Sequence, residues 1–411
     1  MTHPIAGSCR LCGLTDPEVV LSLGEMPLAN ALVANADLGL PEARYPLDLG
    51  LCPLCGLVQI TETVSSDRLF GDYLYFSSFS DTMVKHAKDL AESLIKERRL
   101  DGASLVVEAA SNDGYLLQHY ANAGVRVLGI EPAANVARVA GERGIPTNVE
   151  FFTEALAARL ADEGVRADVF HAHNVLAHVP DLHGFVEGIR RLLHQDGIAV
   201  LEVPYVRDML ERCEFDTIYH EHLCYFSLAV LHRLFKSHGL AICRVDRLLI
   251  HGGSLRIRAK HEAGAKPDES VARMLDEEEQ WGATRAAPYW RFAARVAGIR
   301  RVLPEMLEGL RRGGFRIAAY GAAAKGSTLL NSLSLSPGLI EFVVDRSVYK
   351  QGRYMPGVHL PIYPTEKLME ARPDYVLLLT WNFAEEILAQ QEPFRAQGGR
   401  FVLPIPEPTI L

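Results

Sequence analysis

Residues 217–227 read TIYHEHLCYFS and set Tyr219, His220, Glu221 and His222 side by side among apolar neighbours. Histidine titrates near neutrality, so such a pair suits either metal binding or proton transfer. Metal binding fits poorly. Residues two apart face opposite sides of an extended segment and diverge on a helix, whereas helical metal-binding pairs are spaced i,i+4. Proton transfer fits better. A histidine can take a proton from carbon beside a carbonyl, with Glu221 or Tyr219 orienting it or sharing its charge. The Tyr219 hydroxyl can donate to the developing enolate oxygen. The alternative is a buried polar loop that only closes a sheet.

A metal has a better home at the N-terminus. Cys9-x-x-Cys12 and Cys52-x-x-Cys55 are each followed by glycine, in CRLCG and CPLCG. Two such knuckles supply the four thiolates of a tetrahedral structural zinc site and leave no open position for catalysis. The alternative is unliganded or redox cysteines. The long gap between the pairs requires an inserted segment.

VVEAASNDGYLL reads as a strand ending at Glu108, a tight turn Ala110-Ser111-Asn112-Asp113-Gly114, and the start of a helix. The next strand ends in GIEPAANVA, where Glu131, followed by Pro132, is placed to accept ribose hydroxyls. A dinucleotide needs a glycine-rich turn that admits a pyrophosphate. This turn carries acid at both ends, which suits a phosphate-free cation. That favours S-adenosylmethionine, with its sulfonium and ammonium, over NAD; an ordinary strand–helix turn is the plain alternative. A third strand ends in HAHNVLAHVPDL and puts Asn174 and His178 past its carboxyl end, on the ligand side of such sheets.

The elements that must position these groups follow a rhythm. Residues 1–80 are rich in Cys, Pro and Gly; then DTMVKHAKDLAESLIKERRL has helical spacing, with Asp81 as its N-cap. Strand-like and helical segments alternate from SLVVEAA to IAVLEVP, implying a mostly parallel sheet covered by helices. AICRVDRLLIHGGSLRIRAK reads as an antiparallel pair joined at HGG. A charged helical linker follows. FRIAAYGAAAKG, LIEFVVDRS, DYVLLLTW and RFVLPIP then restart an α/β pattern. The expected domains are 1–80, 81–265 and 266–411. Against 42 basic residues stand 51 acidic ones, a net charge of −9, which opposes general nucleic-acid binding and favours a small-molecule partner. No stretch approaches the ~20 apolar residues of a membrane span, and the first residues lack an apolar signal core, so a cytoplasmic location is expected.

Together the knuckles, GDYLYFSSFS, EAASNDGYLL, GIEPAANVA, NVLAHVPDL, FDTIYHEHLCYFS, HGGSLR and AAYGAAAKGSTLLN span the chain. The sequence resembles the S-adenosylmethionine-dependent sugar C-methyltransferases, close to the 3′-C-methyltransferases of branched deoxysugar (tetronitrose-type) antibiotic pathways. The resemblance implies an α/β fold: an N-terminal zinc module, a central class I (Rossmann-like) methyltransferase domain and a C-terminal Rossmann-like domain that helps hold the nucleotide. It implies C3 methylation of a dTDP-4-keto-deoxysugar, with His222 as base, Tyr219, Glu221 and His178 around it, and Tyr73 in the pocket, joined by Tyr75 and Ser78. In the C-terminal YGAAAKGSTLLN, small residues precede a helix N-terminus where a phosphate could approach, with Tyr320 and Lys325 beside it and Asp345 and Arg353 downstream. Rival readings are O- or N-methylation of such a sugar, and a zinc-ribbon adaptor without catalysis. Oligomeric state is left open.

Overall fold

The computed structural model describes residues 8–13, 16–65, 68–69 and 77–411. Tyr73 and Tyr75 lie outside them. Strands among the described residues form three sheets.

The first sheet is antiparallel and begins with β1 (Glu18–Pro27), β2 (Arg44–Leu51) and β3 (Val58–Ile60). β1 and β2 lie in the insertion that the spacing between the cysteine pairs requires. The knuckles turn because Gly13 and Gly56 take φ of +66° and +76°, a conformation that costs other residues energy. The fourth strand, β9 (Cys224–Tyr225), pairs with β3 and comes from the HEHLCYF segment. The opening histidine segment is thus clamped to the zinc module by backbone pairing.

The second sheet carries β4 (Leu105–Ala109), β5 (Arg126–Ile130), β6 (Thr147–Asn148), β7 (Ala167–His173), β8 (Leu193–Pro204), β10 (Leu240–Leu248) and β11 (Ser254–His261). Its order is β10-β11-β8-β7-β4-β5-β6. β8 through β6 run parallel, and β10–β11 is the antiparallel pair expected around HGG. Helix Asp81–Arg98 is capped by Ser80, whose Oγ accepts from the Met83 amide, and not by Asp81. Ser80 keeps the extended backbone of a cap, while Asp81 has entered the first turn, where its charge favours the helix dipole.

Helices Glu269–Trp281 and Ala286–Arg312 lead to the third sheet. It contains β12 (Ile317–Tyr320), β13 (Val343–Val344), β14 (Ile362–Tyr363), β15 (Tyr375–Leu378), β16 (Arg400–Leu403) and β17 (Thr409–Ile410), in the order β14-β13-β12-β15-β16-β17. All pairs are parallel except β16–β17. Arg300 on the second linker helix bonds the Ser332 and Ser22 carbonyls, tying the first and third sheets together. No helix among the described residues is long and apolar enough to cross a membrane.

Candidate active site

A cavity of about 1080 Å³ lies where the three sheets meet. The turns after β4, β7 and β12 open onto it, as ligand sites do at strand carboxyl ends. Its size exceeds that of a pocket for one small ligand, so it has room for two reactants.

At one part of the wall, the turn after β4 is tightly wound: Ala110, Asn112 and Gly114 have φ of +53°, +50° and +78°. Non-glycine residues in this region carry backbone strain, which concentrates at functional sites. The surroundings hold the strain in place. The Glu131 carboxylate accepts from the Asn112 amide at 3.0 Å and the Ala133 amide at 2.8 Å. Asn112 Oδ1 accepts from the Ser77 amide at 2.8 Å. Gly129 leaves the space that the Ser111 hydroxyl fills. Asp113 is paired with Arg143 at 3.2 Å. Asn112, Glu131, Pro132 and Asn174 reach the cavity wall, while Glu108, Ser111, Asp113 and Gly114 build the turn from behind. Burial, then Glu131, Asp113 and Glu202, push the Glu108 carboxyl well above the usual carboxylate range.

This region fits S-adenosylmethionine. Each Glu131 oxygen accepts one backbone bond, which leaves lone pairs for ribose hydroxyls. Of the acids around the turn, Glu131 is the one that reaches the cavity.

Below the turn runs a buried polar row that sequence reading missed. Tyr120 Oη is 2.8 Å from His171 Nε2, and His171 Nδ1 is 2.8 Å from His173 Nε2. His173 Nδ1 is 3.3 Å from Glu202, which also meets His86 at 2.9 Å and Arg256 at 2.6 Å. Sheet register assembles the row: Glu108 lies opposite His171, and Glu202 lies opposite both His173 and Arg256. Burial alone would raise the Glu202 carboxyl, but His173, His86 and Arg256 hold it well below the carboxylate range. The signal available was the i,i+2 spacing of His171 and His173 on one strand face.

The histidine loop forms another part of the wall. Its segment opens with a 3₁₀ turn, Phe215–Thr217. His222 Nδ1 is 2.9 Å from the Thr217 carbonyl, which fixes Nδ1 as the protonated nitrogen and leaves the lone pair on Nε2. Tyr219 Oη stands 2.9 Å from that Nε2. The His178 ring meets His222 edge to face at 4.8 Å between centroids. Burial lowers His178 to about 4, so it stays neutral beside any imidazolium formed on His222. Glu221 bonds Asn30 at 2.7 Å rather than His222, and burial pushes its carboxyl up to about 7. His220 points away to the Pro46 carbonyl at 3.2 Å, so the two loop histidines do not converge on one ion. Tyr219, Glu221, His222 and His178 all line the cavity.

A third part of the wall is cationic and contains Lys325, Lys350 and Arg353. Lys325 Nζ lies 4.8 Å above the Trp381 ring, and Lys350 Nζ bonds the Ala322 carbonyl at 2.8 Å. Three sequence expectations need correction. Tyr320 faces the core of the third sheet instead of the cavity. Asp345 braces the turn after β12, accepting from the Ala322 and Ser347 amides, and is absent from the cavity wall. Ser78 joins the turn after β4, bonding Asp113 and Arg143. Lys350 and Asn382, which the sequence reading passed over, do line the cavity.

Away from the cavity, the four cysteine sulfurs lie within 4.8 Å of one another. The Cys9–Cys55 and Cys12–Cys52 separations are 3.4 and 3.6 Å. A disulfide requires ~2.05 Å, whereas zinc at ~2.3 Å from each sulfur of a tetrahedron sets S–S edges near 3.8 Å. The quartet therefore fits a structural zinc ion.

Comparison with known proteins agrees with this geometry. Residues 9–70 match the family described as "Putative zinc binding domain", residues 83–245 a methyltransferase domain, and residues 249–406 the C-methyltransferase C-terminal domain. The chain is 38% identical to C-methyltransferase NovU of Streptomyces niveus, over 98% of this chain and 96% of that protein. The chain belongs to the C-methyltransferase family. It is an S-adenosylmethionine-dependent C-methyltransferase that also binds zinc. Among solved structures, magnesium protoporphyrin IX methyltransferase of Synechocystis PCC 6803 with bound SAM is 17% identical, with a TM-score of 0.34. The match covers 47% of this chain and 88% of that one. The same enzyme with bound SAH is 16% identical, with a TM-score of 0.36, over 47% and 90% of the two chains.

Proposed function

We propose that this C-methyltransferase acts on a nucleotide-linked 4-keto-deoxysugar, carried on dTDP, and methylates carbon C3 beside the ketone. The observation that carries this reading is the continuity of one cavity, from the acid-rich turn past the His222 loop to Lys325, Lys350 and Arg353. A substrate with an acidic C–H at one end and a diphosphate at the other matches that sequence of groups. Asn112, Glu131, Pro132 and Asn174 are the residues to hold the methyl donor. Bound there, S-adenosylmethionine supplies an electrophilic methyl group.

The protein's own part is to make the carbon nucleophile. The Thr217 carbonyl holds the His222 ring so that Nε2 is basic. His222 takes the proton from C3, and the electron pair moves toward the ketone oxygen. As Nε2 gains that proton it becomes a donor to Tyr219 Oη. The phenol hydrogen is then turned toward the enolate oxygen, where a hydrogen bond stabilises developing charge. Neutral His178 adds no opposing cation. Glu221, fixed by Asn30, anchors the loop to the first sheet's side of the cavity.

The test is mass spectrometry of products from a panel of dTDP-4-keto sugars with S-adenosylmethionine. A product heavier by one methyl group, carried on carbon at C3, is expected. Turnover of none of the panel would remove the sugar assignment.

A further inference from the structure

Two acids flank the glycine pair of HGGSLR. Gly252 and Gly253 have φ of +85° and +122°, and a Cβ on either would collide with Glu214 or Asp208 respectively. The chain thus leaves space for two carboxyl groups at one turn, yet their surroundings differ. Asp208 is compensated by Arg247, whose Nε donates to it at 3.1 Å, and by Arg212 at 4.0 Å. Glu214 is 3% exposed and forms part of the cavity wall, but its Oε1 has no hydrogen-bond partner among the described residues. A buried carboxyl oxygen left in this way costs stability unless something else fills it.

The position of Glu214 indicates what that is. Three residues further on, Thr217 carries the carbonyl that orients His222. Lys325, on the same cavity wall, is near enough to act on the Glu214 carboxyl electrostatically. Glu214 therefore stands between the proton-transfer loop and the cationic end, where the reading above puts the sugar ring. We propose that Glu214 contacts the substrate, its carboxyl pairing with one hydroxyl of the sugar ring. Burial pushes the group up to about 8; Lys325 and Arg212 oppose this, and Asp216 and Asp208 add to it. At neutral pH it is mostly a carboxylic acid, which offers both a donor and an acceptor, as a hydroxyl does. This inference rests on the nucleotide-sugar reading.

The experiment pairs substitutions at Glu214 with sugars that each lack one ring hydroxyl, a double-mutant cycle with the ligand as one partner. Glu214→Ala should raise KM for the full sugar about tenfold, the scale of one lost hydrogen bond in a buried site. Glu214→Gln, which keeps a donor and an acceptor, should recover most of that. For one deoxy sugar, the Ala substitution should have no further effect. The Kd of S-adenosylmethionine should stay within about twofold in both variants, since the contact is to the sugar. Equal penalties on every sugar, an unchanged KM, or a parallel loss of S-adenosylmethionine affinity would each overturn the proposal. Wild-type enzyme that turns over no nucleotide sugar removes the parent reading and this inference together. Active wild type with an unresponsive Glu214→Ala removes this inference alone.

Discussion

The row from Tyr120 to Glu202 and the loop from Tyr219 to His222 are both built from tyrosine, histidine and glutamate, and the row reaches the loop's cavity through His173. In the row, one tautomer assignment satisfies every ring nitrogen: Tyr120 donates to His171, His171 to His173, and His173 to Glu202. Burial lowers His171 well below the usual histidine range, in keeping with a neutral ring. Nothing in the row can take up a proton without breaking a bond. In the loop, His222 has one nitrogen fixed by a backbone carbonyl, while the other stands beside a tyrosine hydroxyl that can reverse its direction. The same residue types thus form a brace in one place and, in the function we propose, a proton-transfer site in the other. The difference is the kind of group at each nitrogen: neighbours fixed by sheet register in the row, a hydroxyl able to turn in the loop.

Substitutions can break this contrast in order of effect. His222→Asn should lower kcat by about 10³-fold, the scale of a lost general base, while leaving S-adenosylmethionine affinity near wild type. Steady-state kinetics with a separate binding titration would check both. Tyr219→Phe should cost about tenfold to a hundredfold in kcat, since the enolate loses one donor but the base remains. A loss as large as that of His222→Asn would mean that the phenol, not the imidazole, accepts the proton. His171→Phe should destabilise the fold by about 2 kcal/mol, because the Tyr120 hydroxyl and one His173 nitrogen lose their partner inside the protein. Denaturant unfolding would measure it. Normal stability with lost activity would put the row into the chemistry.

The smallest effect is on pH dependence. Glu202 is held below the ordinary value of 4.5, so its stabilising contribution is present above that value and is lost as pH falls toward its folded-state pKa. Glu221 is raised to about 7, so its contribution is present below 4.5 and is lost as pH rises through 7. Glu221→Gln should therefore flatten the decline in stability between pH 5 and about 8. Glu202→Gln should flatten the decline on the acid side. Melting curves across pH would show whether the two substitutions act on opposite arms.

What the sequence disclosed depended on how local the signal was. The cysteine quartet was legible because C-x-x-C-G is a local turn, and the four sulfurs do converge. The alternating strands and helices were legible for the same reason. The turn after β4 and the His222 loop could be read from short runs of side chains. The polar row could not, because His86, Tyr120, His171, His173, Glu202 and Arg256 lie on separate elements that only strand register and helix packing unite. Tyr320 and Asp345 were misjudged because a strand–turn–helix pattern does not say which side chains face the ligand and which brace the turn. Asn30 reaches Glu221 from 191 positions away, beyond any local pattern.

The most direct test of the account is hydrogen exchange at C3 of a dTDP-4-keto-deoxysugar in deuterated buffer, without methyl donor. Wild-type enzyme should exchange the C3 proton, and His222→Asn, folded and binding the sugar, should not. Exchange by His222→Asn at the wild-type rate would contradict the assignment of His222 as the base.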